Sequence, residues 1–248
     1  GGGWVSDDRI RQYYASAPEK EWARLLDPGD GAIEFAITKR VIARYLPADS
    51  RVLDLGGGPG RYTVWLAEQG HRVTLADLVS ELLDVAWERI EDADVRVEEV
   101  VTADASDLSR WADGAFDGVI CLGPFYHLTD ASRRNMAARE LARVIRPGGL
   151  LFAAFMPRMM FLRRSMVIPE EWKHLRDPEF LRSVLEDGVF RNDNPGRFDG
   201  GYGARPEEVG PLFAAVGFEG IELRATESVS PPAYEQLVKM AEADPESY

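Results

Sequence analysis

The sequence predicts an α/β fold built on a doubly wound, mostly parallel sheet. Apolar runs of strand length alternate with helical patterns from about residue 30 to residue 155, and a glycine-rich turn joins the first such run to a helix. Strands that are buried on both faces have continuous apolar sequences, which is the pattern present here. Because 248 residues with 45% hydrophobic content can bury one sizeable core, we expect a single domain over 4–248.

The composition argues against two classes of binding partner and indicates the cellular compartment. The 42 acidic residues exceed the 29 Lys and Arg residues, and the formal charge of −13 disfavours binding to nucleic acid and to anionic membrane surfaces. The single cysteine, Cys121, cannot form an internal disulfide, which indicates a reducing, cytoplasmic location. No apolar run reaches the roughly 20 residues that a membrane helix requires, and no leader pattern is present.

The first two helices form an N-terminal helical arm over 4–48. Ser16, Pro18 and the acids that follow them predict a short helix, and the apolar spacing from Gly31 to Leu46 predicts a longer one.

The cofactor-binding core is expected over 49–155. The helix from Asp130 to Ile145 should end at Arg146-Pro147-Gly148-Gly149, because proline cannot continue a helix and glycine supplies a turn. The predicted strands are Arg51 to Leu55, Arg72 to Ala76, Val95 to Val101, Phe116 to Leu122 and Leu150 to Phe155.

The alternation stops after Phe155. Residues 156–205 are rich in Met, Arg, Phe and Leu and end in a Gly, Asn and Asp loop, so we interpret them as a lid insertion; a helical insertion with only a packing role is the alternative. The remaining 206–248 predict a helix from Pro206 to Val216, a strand from Ile221 to Thr226 and a helix from Tyr234 to Ala243.

The glycine turn is the most informative motif. Gly56, Gly58 and Gly60 follow a buried strand and precede a helix, where glycines allow a ligand to approach the backbone. Asp54 stands directly before them, and its carboxylate suits a cationic ligand better than a pyrophosphate. No Gly-Lys-Ser or Gly-Lys-Thr follows, which argues against a P-loop, although a turn serving only the fold remains the alternative.

The stretch Asp54-Leu55-Gly56-Gly57-Gly58-Pro59-Gly60 resembles the first motif of the class I S-adenosylmethionine-dependent methyltransferases, which have a Rossmann-like fold, and Arg146-Pro147-Gly148-Gly149 resembles the turn before their fifth strand. The resemblance implies S-adenosylmethionine as cofactor. It further implies that Asp77 holds the ribose, that Asp104 and Ala105 hold adenine, and that Leu122 lies beside the methionine portion. Leu78, next to Asp77, is also expected to contact the cofactor.

The predicted acceptor groups follow the fourth strand. Leu122-Gly123-Pro124-Phe125-Tyr126-His127 lacks the motif of nucleobase amino methyltransferases and is similar to a group of bacterial small-molecule methyltransferases, in which this histidine faces the acceptor. We therefore take His127, Tyr126 and Tyr14 as catalytic candidates, and Tyr13 as a cofactor contact from the arm. Structural roles for His127 and for the arm tyrosines remain alternatives. Scattered histidines and a lone cysteine predict no metal site.

The predicted function is methyl transfer to a small molecule, an aromatic or amino-acid-derived metabolite of natural product biosynthesis. The alternatives are a protein side-chain methyltransferase and a non-catalytic subunit that binds S-adenosylmethionine. The sequence departs from the family pattern at its end, where the usual closing antiparallel strand lies either near 198–202 or beyond the sequence. The sequence does not indicate an oligomeric state.

Overall fold

The computed structural model describes residues 7–28, 30–191 and 200–226. The core is a five-stranded sheet in which every pair of neighbouring strands is parallel, in the order β3-β2-β1-β4-β5. The strands are β1 (Arg51–Leu55), β2 (Arg72–Asp77), β3 (Glu99–Thr102), β4 (Phe116–Cys121) and β5 (Ile145–Ala153). The doubly wound α/β class is confirmed.

Helices cover both faces of the sheet. The described helices are α1 (Asp7–Ala15), α2 (Pro18–Arg24), α3 (Asp30–Tyr45), α4 (Arg61–Glu68), α5 (Ser80–Asp92), α6 (Pro124–His127), α7 (Ala131–Val144), α8 (Met159–Val167), α9 (Pro178–Arg182) and α10 (Pro206–Ala214). One core cluster includes Leu53, Val119 and Leu141, and another includes Ile42, Val52 and Leu66. Because β1 contributes to both clusters, it is buried on its two faces, as its apolar sequence predicts.

The order of the strands creates a switch point between β1 and β4. The chain proceeds from β1 outward through β2 to β3, and then returns to the other side of β1 for β4 and β5. The loops after β1 and β4 therefore diverge, and in open α/β sheets ligands bind in the crevice that this divergence leaves at the carboxyl ends of the strands.

The insertion forms a small unit beside the main sheet, and Tyr202 and Ala204 of its last strand join the main core cluster. It contains α8, a 3-10 helix (Pro169–Arg176), α9, a π-helical turn (Ser183–Asp187) and a three-stranded sheet of β6 (Met156–Pro157), β7 (Val189–Arg191) and β8 (Gly200–Ala204). Phe161, Phe180, Val184 and Phe190 make its own apolar core. The small sheet was not predicted, because its glycine-rich strand reads as a loop in the sequence.

Three predictions about strands were wrong. Strand β3 begins at Glu99 rather than Val95. Residues 221–226 form no strand, because a strand requires a paired neighbour and no described segment pairs with them. The described part of the proposed closing strand belongs to β8, which pairs with β6 and β7 rather than with the main sheet. Phe198 and the predicted helix from Tyr234 to Ala243 lie outside the described residues.

The turn predicted at Arg146–Gly149 lies inside β5. Ile145 pairs with Phe116, and the pairing resumes only at Leu150 with Gly118, so the intervening residues form an irregularity in the ladder. The helix before it, α7, ends at Val144, one residue from the predicted end.

Candidate active site

A cavity opens at the switch point, between the loops that follow β1 and β4. The arm helices α1 and α2 form its outer wall, and the loops after β2 and β3 extend it toward the edge of the sheet. It is lined by Asp7, Ile10, Tyr14, Glu21, Leu55, Gly56, Gly58, Asp77, Leu78, Val79, Leu82, Ala103, Asp104, Ala105, Gly123, Pro124, Tyr126, His127, Leu128 and Arg133.

The glycine loop forms the floor of this cavity and requires glycine for two reasons. Gly56 and Gly58 have φ values of 70° and 54°, in the left-handed region that side chains with a Cβ rarely adopt. A Cβ at Gly56 would also lie 2.6 Å from the ring of Pro124 at the start of α6. The loops after β1 and β4 are therefore in direct contact, and the backbone of the glycine loop faces the cavity.

Asp77, the last residue of β2, fixes the loop from the side. Its Oδ2 accepts a hydrogen bond from the Gly58 amide at 2.8 Å, and its Oδ1 accepts one from the Val79 amide at 2.9 Å. Burial raises the pKa of this carboxyl group to about 6, although the backbone hydrogen bonds act in the opposite direction. Since each carboxylate oxygen can accept two hydrogen bonds, both keep acceptor capacity for a ligand in the cavity.

Asp54 lies beneath the loop. Its side chain is 2% exposed, and its Oδ2 accepts a hydrogen bond from the Thr63 hydroxyl of α4 at 2.7 Å. A Cβ at Gly57 would lie 2.6 Å from this carboxylate. Burial raises the pKa of Asp54 to about 7, so a negative charge here is costly until a cation approaches.

Arg133 joins the arm to the loop after β3 at one end of the cavity. Its Nη2 donates to Asp104 Oδ2 at 2.6 Å, and its Nη1 donates to Asp7 Oδ1 on α1 at 2.7 Å. The other oxygen of Asp104 accepts hydrogen bonds from the amide and hydroxyl of Ser106. The carboxylate of Asp104 is thus fixed in position at the cavity wall.

A cluster of Tyr14, Tyr126 and His127 lies at another part of the wall. The Tyr14 hydroxyl and His127 Nε2 are 2.9 Å apart and hydrogen-bonded, although the two residues are 113 positions apart in the chain. Burial lowers the pKa of His127 to about 3 and raises the pKa values of both tyrosines, so all three groups are neutral near pH 7. The cluster presents neutral hydrogen-bonding groups to the cavity.

The region that supplies most of the cavity wall matches a known family. Residues 53–153, from β1 to the end of β5, match the model described as a methyltransferase domain. These residues form an S-adenosylmethionine-dependent methyltransferase domain. The match contains the glycine loop, Asp77, Asp104 and His127, whereas the arm and the insertion lie outside it.

Curated relatives share part of the chain. A ubiquinone biosynthesis O-methyltransferase from Xanthomonas axonopodis pv. citri is 36% identical over 118 residues, which are 48% of each chain. A tRNA 5-carboxymethoxyuridine methyltransferase from Escherichia coli is 28% identical over 158 residues, 59% of each chain. The chain thus matches only about half the length of the ubiquinone enzyme.

A solved structure of a SAM-dependent methyltransferase from Methanosarcina mazei has the same fold. Its TM-score is 0.60 with 23% sequence identity, and the match covers 74% of this chain and 86% of the other. This likeness supports the Rossmann-like architecture of the methyltransferase domain.

The residues around the cavity fit S-adenosylmethionine. The lining contains the carboxylates of Asp7, Glu21, Asp77 and Asp104 against a single guanidinium, that of Arg133, which is already ion-paired. A surplus of carboxylates favours a ligand that carries sulfonium and ammonium charges. The open glycine backbone adds space that a Cβ would fill.

Nine of the thirteen residues predicted for the site line the cavity: Gly56, Gly58, Asp77, Leu78, Asp104, Ala105, Tyr14, Tyr126 and His127. The other four do not line it. Asp54 is beneath the loop, Gly60 precedes α4, Leu122 packs against a core cluster, and Tyr13 contacts the Tyr14 ring edge-on at 5.1 Å. The roles assigned to all thirteen stay predictions.

Several residues of the wall were not predicted from the sequence, above all Asp7, Glu21 and Arg133. Asp7 and Glu21 lie in polar helices that read as solvated, and Arg133 lies in the first turn of α7. No local pattern distinguishes Arg133 from the adjacent Arg134, which donates to the Leu128 carbonyl and stacks on Tyr202. Only its ion pairs with Asp7 and Asp104, which form in the folded protein, show that Arg133 lies at the cavity wall.

The insertion does not line the cavity through any residue that the structure describes. Two of its arginines are engaged in ion pairs: Arg158 pairs with Glu208, and Arg164 pairs with Glu171. The aromatic side chains of Phe161 and Phe180 belong to the core of the insertion. The lid role stays a prediction, and these contacts favour the packing alternative.

Two further features of the described residues concern metal binding and membrane insertion. Neither the core nor the insertion has, within 7–28, 30–191 and 200–226, three or more His, Cys, Asp or Glu side chains placed to hold a metal ion. In the same ranges every helix is too short or too polar to cross a bilayer.

Proposed function

We propose that this protein transfers a methyl group from S-adenosylmethionine to a small-molecule acceptor that is positioned by Tyr14, Tyr126 and His127. The observation that carries the proposal is the hydrogen bond between Tyr14 and His127. It lies at the wall of the cavity whose floor is the glycine loop. It places neutral polar groups of the arm and of the loop after β4 beside the expected cofactor site.

For this reaction the protein needs to do little more than hold the cofactor and the acceptor in position. S-adenosylmethionine supplies a methyl group activated by a sulfonium, and displacement at that carbon proceeds in line. Holding the acceptor atom on the reaction axis can supply much of the rate enhancement. Asp77 and Asp104 would hold the ribose and the adenine, while the backbone of Gly56 and Gly58 would lie against the remainder of the cofactor.

The protonation states favour an orienting role for His127. A pKa of about 3 makes the imidazole neutral at physiological pH but a weak proton acceptor, whereas an efficient general base has a pKa near the working pH. The Tyr14 hydroxyl oxygen keeps a lone pair that can accept a hydrogen bond from an acceptor molecule, while its contact with His127 Nε2 fixes the hydroxyl in position. We infer that the pair orients the acceptor, and that the acceptor's own acidity decides how its proton leaves.

The lining of the cavity and the net charge support the proposed acceptor class. The rings of Tyr14 and Tyr126 and the side chain of Leu128 suit a flat apolar or amino-acid-derived metabolite, as found in natural product biosynthesis. The formal charge of −13 opposes binding to a polyanion, although one relative is named a tRNA methyltransferase. We propose metal-independent transfer, and the single cysteine supports a cytoplasmic location.

The test is turnover of S-adenosylmethionine across a panel of indoles, phenols, amines, amino acids, keto acids and undermodified tRNA, with and without EDTA. Mass detection of a methylated small molecule together with S-adenosylhomocysteine, unaffected by EDTA, is the expected result. Methylation of tRNA alone, or of a protein side chain, would contradict the acceptor class. Binding of the cofactor without turnover of any acceptor would favour the non-catalytic subunit.

A further inference from the structure

Glu21 is a cavity residue whose role the fold does not explain. It lies on α2 and lines the cavity together with Tyr14, Tyr126 and His127. The other lining carboxylates have evident tasks: Asp7 and Asp104 pair with Arg133, and Asp77 accepts backbone amides.

The Glu21 carboxylate is fixed by an ion-pair network. Arg24 Nε donates to Glu21 Oε1 at 2.8 Å, and Arg24 Nη1 donates to Glu34 Oε2 on α3 at 2.8 Å. One guanidinium therefore serves two carboxylates, and the network keeps a net charge of −1. The Glu21 side chain is 27% exposed, so its charge is neither buried nor fully screened by water.

The electrostatic influence of Glu21 reaches the groups on both sides of the cavity. After burial and Tyr126, its charge is a further cause of the raised pKa of Tyr14. It also contributes, behind burial, to the raised pKa values of Tyr126 and Asp77. Glu21 thus lies between the predicted acceptor cluster and the predicted ribose site.

We propose that Glu21 is the binding residue for an ammonium group in this cavity, held in place by Arg24 and Glu34. The inference rests on the proposed function and deepens it. Two ligands of the reaction can supply the ammonium: the methionine portion of the cofactor, and an acceptor that is an amine. A carboxylate preorganised by an ion pair forms a charge-assisted hydrogen bond with either one.

The experiment compares Glu21→Gln with Glu19→Gln. The control residue lies on the same helix and pairs with Arg89 at 2.6 Å, but it does not line the cavity. Calorimetry measures the affinity of each protein for S-adenosylhomocysteine and for 5′-methylthioadenosine, which lacks the amino-acid group. Kinetics measures KM for the amine and the hydroxyl acceptors of the panel.

If the cofactor supplies the ammonium, Glu21→Gln weakens S-adenosylhomocysteine binding about tenfold or more and leaves methylthioadenosine binding unchanged. If the acceptor supplies it, both affinities stay the same and KM rises about tenfold for amines alone. Glu19→Gln changes neither. The inference is overturned if both ligands and both acceptor classes respond alike, or if the two variants behave identically.

A second experiment measures ligand affinities of the wild-type protein, so its result does not depend on whether a variant folds. If the cofactor supplies the ammonium, a deaminated analogue of S-adenosylhomocysteine should bind more weakly than S-adenosylhomocysteine itself; if the acceptor supplies it, an acceptor without its amine should bind more weakly than the amine. Equal affinity for both members of each pair would reject the ammonium site. Failure of wild-type protein to bind S-adenosylhomocysteine would instead reject the proposed function, and the inference with it.

Discussion

Asp77 combines a structural and a predicted binding role in one side chain. Both of its oxygens accept backbone amides, and it lines the cavity at the end of β2. We expect Asp77→Ala to weaken binding of S-adenosylmethionine by about 1 to 3 kcal/mol, because a charged acceptor for the ribose hydroxyls is lost. Calorimetry on the folded variant measures this, and an unchanged affinity would refute the assignment of the ribose site.

His127 should affect turnover more than cofactor binding. We expect His127→Ala to lower kcat at least about tenfold while the Kd for S-adenosylhomocysteine changes less than about twofold. Tyr14→Phe, which removes only the hydroxyl, should lower kcat in the same direction. Because the pKa of His127 is about 3, kcat of the wild type should show no inflection from this group near pH 6.5. Equal losses in kcat and in affinity would indicate a structural role.

Asp54 makes stability depend on pH in a defined direction. Burial raises its pKa from 3.8 to about 7, so the folded state binds this proton more tightly than the unfolded state does. The stabilisation from the protonated form is complete below the unfolded value and is lost as the pH rises toward 7. We therefore expect Asp54→Asn to raise the Tm of the ligand-free protein by an amount that grows between pH 4 and 7 and then levels off.

The control for Asp54 is Asp84→Asn, which changes an exposed carboxylate on α5. It should leave the dependence of Tm on pH unaltered. A Tm difference between Asp54→Asn and the wild type that is the same at pH 4.5 and pH 8 would contradict the burial argument.

At the scale of elements, α1 is attached to the domain by polar contacts. Its side chains are partly buried at most, as Tyr14 is, and it is held by the Asp7–Arg133 pair, by Arg11 Nε donating to the Leu78 carbonyl, and by the Tyr14–His127 hydrogen bond. Each half-exposed ion pair contributes little, about 0.2 to 1 kcal/mol. The arm should therefore open readily.

Arg133→Gln should increase that opening. We expect trypsin to cleave at Arg9 or Arg11 a few times faster in the variant and S-adenosylhomocysteine to dissociate faster, since Arg133 connects α1 to the loop after β3. Arg110→Gln is the matched control, because Arg110 pairs with Glu99 at the outer edge of the sheet. Identical cleavage rates for the two variants would show that Arg133 does not hold the arm.

The sequence predicted those elements whose signal is local. Strand β1 has an apolar run before a glycine turn, and α7 has an N-cap at Asp130 and a stop at Pro147. It did not predict β7, which has only three residues, and it gave the part of β8 near 200–202 only as one alternative for a closing strand of the main sheet. It predicted a strand over Ile221–Thr226 from the alternation of apolar and polar residues alone. No strand forms there, because no described segment pairs with these residues.

The same distinction holds for the site. Residues on the loops after parallel strands, such as Asp77 and Asp104, could be predicted because topology brings those loops to one edge. Arg133 and Glu21 reach the cavity from helices whose packing is tertiary, so they could not. Tyr14 and His127 were each predicted as candidates for the acceptor site, whereas the hydrogen bond between them is known only from the structure.

For the whole molecule, the central claim is methyl transfer from S-adenosylmethionine to a small molecule. The surplus of acidic residues, which gives a charge of −13, and the carboxylate-rich cavity both favour cationic over polyanionic ligands. The match of residues 53–153 to a methyltransferase domain supplies the reaction class.

The most direct measurement follows the label from methyl-labelled S-adenosylmethionine after incubation with the acceptor panel and tRNA. We predict label in a small-molecule product with an equal amount of S-adenosylhomocysteine, whereas label confined to tRNA or protein, or no transfer despite tight binding, would contradict the claim.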